Sequence, residues 1–423
     1  MEAAVKAWPA WRSTPLKERG QLLFRFRDLL VAHSEELSKL IAAESGKTES
    51  EAYAGLLRGI EVVEYASSLQ NADAGGSLEV SRGVSCEYRR EPLGVVAGIT
   101  PFNFPAMVPL WMFPIALTVG NVFVLKPSEK VPLTACRLGE LMISSGYPAG
   151  VFSIIHGDRQ TAELLVDHPA LQAIAFVGST SAAKSVYGRA TRQGKRALCL
   201  GGAKNILIVA PDADEALTVK AIVDSFTGCA GQRCMAGSLL LAVGTASSII
   251  AKVADAAGRL KLGTDLGAVI DRTARERLVR AIAEAEADGA QLVVDGRAAQ
   301  PPAGGESGNW LAPTVIDHAR PDMECARTEL FGPILTAIRV ETIDEALSIE
   351  RENRYGNATS VFTQSGSVAR YVSDRASSGM VGVNVGVPVP RDPFSFGGTK
   401  DSKFGHGDIT GRAAVEFWSN LKK

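Results

Sequence analysis

The stretch GVVAGITPFNFPAMVPLWMFPIALTVGNVFVLKPSE, residues 94–129, decides the fold. It has no charged residue before Lys126, and its length alone would suit a membrane span. Its punctuation argues otherwise. Pro101, Pro105, Pro109, Pro114 and Gly120-Asn121 fall where strand, loop, helix and turn would change over, so the stretch reads as a buried β-α-β unit: a strand at Val95-Val96-Ala97-Gly98, a helix after Pro105 and a strand at Val122-Phe123-Val124-Leu125. Continuous short apolar runs between helices mark a parallel sheet covered on both faces.

Outward from this unit the alternation continues. Downstream come a helix from Leu133 to Ile143, a strand at Val151–Ile155, a helix near Ala162–Leu165, a strand at Ala173–Val177 and a helix after Ser179. A second α/β series begins at Asn205–Val209 and runs to Val381–Val385, with helices near 214–227, 273–287 and 343–352, placing a boundary near Gly201-Gly202. Upstream, Ala3 to Trp11 has a helical pattern, Thr14-Pro15 marks a helix start, and Leu22, Leu23, Phe26, Leu29 and Leu30 continue one helical run until Gly46. Thr48-Glu49-Ser50-Glu51 has capping-box form and opens a further helix on whose mostly apolar side Arg58 is the odd residue. Ser85–Arg90 alternates like an exposed strand or ribbon.

With 45 basic against 46 acidic residues and no block of like charge, the chain shows no footprint for nucleic acid or an anionic membrane, which leaves small molecules as partners. Six scattered cysteines without disulfide spacing, and no leader segment, fit a reducing cytoplasm or organelle matrix, and the cytoplasm is the expected setting. Five dispersed histidines make no metal cluster.

Three stretches carry chemistry. Gly228-Cys229-Ala230-Gly231-Gln232-Arg233-Cys234-Met235-Ala236 combines small residues, which permit a tight turn, with thiols beside a cation that favours the thiolate; buried packing is the competing role for either cysteine. Gly178-Ser179-Thr180 at a strand-to-helix turn offers backbone N–H groups to a phosphate, or simply a helix cap. Lys126-Pro127-Ser128-Glu129 puts a cation and a carboxylate at a strand end, where α/β sheets bind ligands; a carboxylate there suits the ribose of NAD over its phosphorylated form.

Thr100-Pro101-Phe102-Asn103-Phe104-Pro105, Lys126–Glu129, Phe176–Thr180, Leu200-Gly201-Gly202, Gly231–Cys234, Glu329-Leu330-Phe331-Gly332-Pro333 and Phe396-Gly397-Gly398 occur in the order and approximate spacing of the aldehyde dehydrogenase superfamily, which the whole chain resembles. The narrower resemblance is to its CoA-acylating methylmalonate-semialdehyde dehydrogenases. Gly98–Pro114 and Met380–Val385 carry it, together with Cys199, which stands where most of the superfamily has a glutamate base, and Arg58 with Arg233, matching two arginines that hold the substrate carboxylate.

The resemblance implies an α/β, aldehyde-dehydrogenase-like fold. A Rossmann-type NAD-binding domain would span residues 1–76 and 95–202, an oligomerisation ribbon 77–94, a catalytic domain 203–395 and a C-terminal return segment 396–423. It further implies Cys234 as nucleophile, Asn103 as oxyanion donor, Arg58 and Arg233 as substrate contacts, and Thr100, Phe102, Lys126, Ser128, Glu129, Gly157, Gly178, Ser179, Leu200, Glu329 and Phe331 as cofactor contacts, with Phe396 also near the nicotinamide. NAD and coenzyme A would be the cofactor and co-substrate, malonate or methylmalonate semialdehyde the substrate, and a homodimer or homotetramer the assembly. Hydrolytic release of a free acid, or a binding role without catalysis, are the alternatives. Trp418–Lys423 stands where relatives continue into a strand that pairs with another subunit, and strands that precede the first helix in relatives are lacking, so a weakened assembly is expected.

Overall fold

The structure is a computed structural model that describes residues 1–72 and 75–423. Two sheets dominate. The first has six strands in the order Lys403–Phe404, Arg196–Leu200, Leu171–Val177, Val95–Ile99, Val122–Lys126, Phe152–Ile154, all parallel except Lys403–Phe404. The helix Met107–Thr118 packs on it with every residue buried, which is why residues 94–125 carry no charge. Gly98 in the central strand leaves room for this helix, since a Cβ there would sit 2.7 Å from Met112 Sδ and from the Phe123 ring. Gly59, in the helix Glu49–Ser67, does the same for Leu110, which a Cβ would approach to 2.6 Å.

The second sheet has seven strands, Gln291–Val294, Thr314–Asp317, Ile334–Val340, Gly237–Val243, Asn205–Val209, Ala358–Phe362 and Met380–Val383 in spatial order, parallel beyond its first pair. Separate hydrophobic clusters cover its two faces. A third, three-stranded antiparallel ribbon joins Gly76–Ser81, Val84–Pro92 and Ser419–Lys422. The last residues therefore supply a strand to the chain's own ribbon.

Several elements depart from the sequence reading. The run ending at Gly46 is two helices, Leu16–Ala32 and Ser34–Ser45, because His33 leaves helical geometry at ψ 16°. Thr14 ends the helix Glu2–Ser13, and Pro15 sits at the N-cap of the next. The strand Arg196–Leu200 and the helices Ile249–Gly258 and Gly366–Arg375 are additional to those the sequence pattern suggests. The Thr48 capping box forms with both of its hydrogen bonds.

Candidate active site

The helix Glu215–Thr227 stops at Gly228, and the chain then makes a left-handed turn through Cys229 (φ 56°), Ala230 (φ 52°) and Gly231 (φ 66°) before delivering Cys234. Gly231 is required twice over: its φ favours glycine, and a Cβ would lie 2.0 Å from the Gly332 carbonyl oxygen. Side-chain amides hold the segment beyond the turn. Asn205 and Asn357 both donate to the Cys234 carbonyl, at 2.7 and 2.9 Å, and Gln232 accepts from the Ile270 N–H at 3.0 Å. Asn103 donates one of its amide hydrogens to the Gln232 carbonyl at 2.9 Å, which seats it beside the Cys234 loop.

Cys234 lies in the wall of a cleft of about 880 Å³. Its thiol is pushed up to about 12 by burial first and by the Glu329 carboxylate second; Arg233 and Lys47 pull the other way but are outweighed. A cation beside the thiol is thus present, as the sequence suggested, and burial outweighs its pull.

The same cleft gathers Thr100, Phe102, Asn103, Lys126, Ser128, Glu129, Gly178, Ser179, Glu329 and Phe331 from sequence-distant strand ends. Lys126 is buried and pairs with Glu129 at 3.0 Å. Burial works to raise the Glu129 carboxyl, but its own backbone N–H and Lys126 leave it below the ordinary value. Phe102 and Phe331 meet edge to face, 5.9 Å between centroids.

Ser179 is the N-cap residue of the helix Thr180–Thr191 but makes no side-chain cap bond. The first-turn N–H groups of this helix therefore lack the usual hydroxyl partner, and Ser181, Ala182 and Ser185 of the same helix line the cleft. That arrangement suits the phosphates of a dinucleotide.

Glu329 is half-buried, and burial pushes its carboxyl up to about 7 against the pull of the Ala203 N–H, Lys204 and Arg277. Gly202 lets it approach the wall, since a Cβ there would sit 2.4 Å from Oε2. Lys204 is buried, its ammonium has no hydrogen-bond partner among the described residues, and its pKa falls to about 8 through desolvation.

Other candidate residues do not line this cleft. Gly157 follows the strand Phe152–Ile154 in a left-handed conformation (φ 147°), packed against Thr161. Leu200 has a buried side chain and a carbonyl that accepts from Gly178 N–H at 3.1 Å; Gly201 and Gly202 take its place in the wall. Phe396 is buried against Trp111, 4.7 Å away. Arg58 pairs with Glu61 at 2.7 Å, one turn along its own helix. Arg233 donates to the carbonyls of Asp224 and Ser225, while its Nε remains a buried donor with no partner. Cys199 is buried in its strand opposite Phe176 and Phe404, and burial raises its pKa.

Sequence reasoning missed Asn205, Asn357 and Gln232, whose role depends on carbonyls brought near by folding, and Arg277, which lines the cleft from the helix Arg272–Ala287. Among the described residues no group of three or more His, Cys, Asp or Glu could hold a metal ion, and no helix is long and apolar enough to cross a membrane.

The sequence model of the aldehyde dehydrogenase family matches residues 1–423. The chain belongs to this family. This aldehyde dehydrogenase is 42% identical over 429 residues to malonate-semialdehyde dehydrogenase 1 of Geobacillus kaustophilus, covering 100% of the chain and 88% of that relative. It is 43% identical to the mitochondrial acylating methylmalonate-semialdehyde dehydrogenase of Arabidopsis thaliana, covering 100% of the chain and 70% of that protein. Among solved structures, the methylmalonate-semialdehyde dehydrogenase of Oceanimonas doudoroffii superposes with a TM-score of 0.97 at 42% identity, covering 100% of this chain and 88% of that one. A Sinorhizobium meliloti 1021 protein solved as a complex with NAD gives a TM-score of 0.97 at 40% identity, covering 100% and 87%.

Proposed function

We propose that this aldehyde dehydrogenase oxidises malonate or methylmalonate semialdehyde with NAD and passes the acyl group to coenzyme A. The observation that carries the reading is a cleft that ends at a thiol, with the position of the expected glutamate base, Cys199, occupied by a buried thiol outside the cleft. The two substrates differ by one methyl group, a difference a pocket discriminates by only about 1–3 kcal/mol.

The residues divide the work along the cleft. Glu129 receives the adenosine ribose, the N-terminus of the helix Thr180–Thr191 faces the diphosphate, and Glu329 takes the nicotinamide ribose. The Cys234 sulfur, once deprotonated, bonds to the aldehyde carbon. The second amide hydrogen of Asn103 and the Cys234 N–H stabilise the resulting oxyanion; losing one such donor costs about 10²–10³ in rate. NAD, when bound, accepts the hydride that leaves this carbon, so the Cys234 adduct becomes a thioester.

A neutral thiol at Cys199 does not activate water, so the thioester persists until the thiolate of coenzyme A attacks its carbonyl and expels Cys234. Release as acetyl- or propionyl-CoA also requires loss of the substrate carboxylate as carbon dioxide. Arg233, with its unpartnered Nε, and Arg58 are the candidate contacts for that carboxylate.

The ribbon is assigned to self-association. Leu78, Val80 and Val84 are 68%, 57% and 52% exposed, and with Tyr88 and Leu421 they leave apolar surface on the three-stranded ribbon. A second copy of the chain would cover it, giving a homodimer or homotetramer. Six free cysteines, with Cys86 and Cys136 exposed, suit the reducing cytoplasm.

The test is NADH formation from malonate semialdehyde with and without coenzyme A, with products identified by mass. The acyl-CoA product and dependence of turnover on coenzyme A are expected. Equal turnover without it, yielding the free acid, overturns the acylating assignment.

A further inference from the structure

The turn that delivers Cys234 uses a conformation that residues bearing a Cβ rarely adopt, at Cys229 and again at Ala230. Such a turn persists only where its surroundings over-determine it. Within the turn, Gln232 N–H donates to the Cys229 carbonyl at 2.9 Å. A further hydrogen bond comes from a distant part of the chain: Cys229 N–H donates to Oε1 of Glu51 at 2.5 Å.

Glu51 has a second task. Its Oε2 accepts from the Thr48 N–H and from the Thr48 hydroxyl, each at 3.1 Å, which closes the capping box at the start of the helix Glu49–Ser67. One carboxylate thus serves a helix N-terminus with one oxygen and the nucleophile turn with the other. Lys47 lies beside it, buried, with its ammonium 3.4 Å from the centre of the Phe104 ring. Desolvation lowers the Lys47 pKa, while Cys229 and Glu51 oppose that shift. Phe104 follows Asn103, and both line the cleft that Cys234 lines.

We propose that Glu51 is a positioning residue for Cys234: by accepting the Cys229 N–H while anchored to Thr48, it holds the left-handed turn in the register that aims the thiol into the cleft. The inference rests on Cys234 being the nucleophile. A Cys234→Ser variant that still formed NADH would remove that premise without bearing on Glu51.

Four enzymes separate geometry from charge and from helix capping: wild type, Glu51→Asp, Glu51→Gln and Thr48→Ala. Asp keeps the charge beside Lys47 but is one methylene too short to span Thr48 and Cys229. Gln keeps the reach and an acceptor oxygen without the charge. Thr48→Ala removes the hydroxyl's part of the cap and leaves both the Thr48 N–H anchor and the bond to Cys229.

The readouts are Cys234 alkylation by iodoacetamide, followed by peptide mass, together with kcat, the KM for NAD and Tm. E51D is expected to slow Cys234 alkylation and lower kcat by roughly 10–100-fold with the KM for NAD unchanged, as for a displacement of about 1 Å at a reacting group. E51Q is expected to stay within about threefold of wild type in alkylation and kcat while its Tm falls, and T48A to lower Tm alone. Wild-type alkylation in E51D, a larger loss in E51Q than in E51D, or an equal loss in T48A would each overturn the proposal.

Discussion

Gly202→Ala isolates the cofactor contact proposed for Glu329. Gly202 is not in a left-handed conformation, so alanine brings no backbone penalty. Its Cβ, however, would stand 2.4 Å from Glu329 Oε2 and 3.0 Å from Thr180 Oγ. An ordinary contact begins near 3.4 Å, so the carboxylate must retreat by about 1 Å, and as the end of a flexible side chain it can do so for about 0.5–1.5 kcal/mol of rotamer strain. Stability should change little, with Tm down by only a few degrees.

The ribose contact should suffer more. A hydrogen bond to a charged group contributes about 1.5–3 kcal/mol, and at about 1.4 kcal/mol per decade its loss raises the KM for NAD by roughly 10–100-fold. Initial rates at saturating aldehyde and coenzyme A, alongside calorimetry, measure both effects. A KM for NAD within twofold of wild type would refute the reasoning. So would additive defects in the G202A/E329Q double variant, because both changes are argued to act through one carboxylate.

The pH profile tests the same group by titration. The Glu329 carboxyl, raised from an ordinary 4.5 to about 7, contributes stability that is fully present below 4.5 and lost as pH rises through 7. The carboxylate proposed to bind the ribose appears over that range, so the KM for NAD should fall as pH rises through 7, and E329Q should flatten the profile; a sloped profile in E329Q would sink the assignment. Asn205→Ala should lower both Tm and kcat, because it strips a donor from the Cys234 and Ala236 carbonyls and an acceptor from Ala358 N–H, each buried loss worth about 1–3 kcal/mol. An unchanged Tm would show that these groups find other partners. Leu78→Asp with Val84→Asp should shift sedimentation toward the monomer by charging the exposed apolar ribbon; identical sedimentation would mean that this face is not where copies meet.

Much of the architecture could be read because its signals are local. The uncharged run from Gly94 to Leu125 states directly that strand, helix and strand are buried together, and the Thr48 box forms as its spacing requires. The strand Arg196–Leu200 was harder to see, being short, opened by a charged residue and followed at once by glycines. The single run up to Gly46 misled because apolar spacing resumes in phase after His33, and only backbone geometry records the break. For the site, motif residues such as Asn103, Glu329 and Phe331 do converge with Cys234 on one cleft. Asn205, Asn357 and Gln232 left no local trace, because an amide that binds a backbone carbonyl depends on distance in space. Ser179 shows the opposite limit: from sequence a cap and a phosphate site look alike, and only the structure shows that its side chain makes no cap bond.

The antiparallel edge strand Lys403–Phe404 and the ribbon strand Ser419–Lys422 have a consequence for synthesis on the ribosome. The first sheet cannot close its Arg196–Leu200 edge until Lys403–Phe404 has been made, nor the ribbon gain its third strand before Ser419–Lys422. Asn121, which donates to the Trp418 carbonyl at 2.8 Å, and Arg196, which donates to those of Phe417 and Ser419 at 2.7 and 2.9 Å, wait equally long for their partners. At about 5–20 residues per second, the roughly 200 residues separating Leu200 from Lys403 impose a delay of roughly 10–40 s. Throughout it the nascent first sheet exposes one raw edge, which makes this interval the one most open to mispairing of that edge.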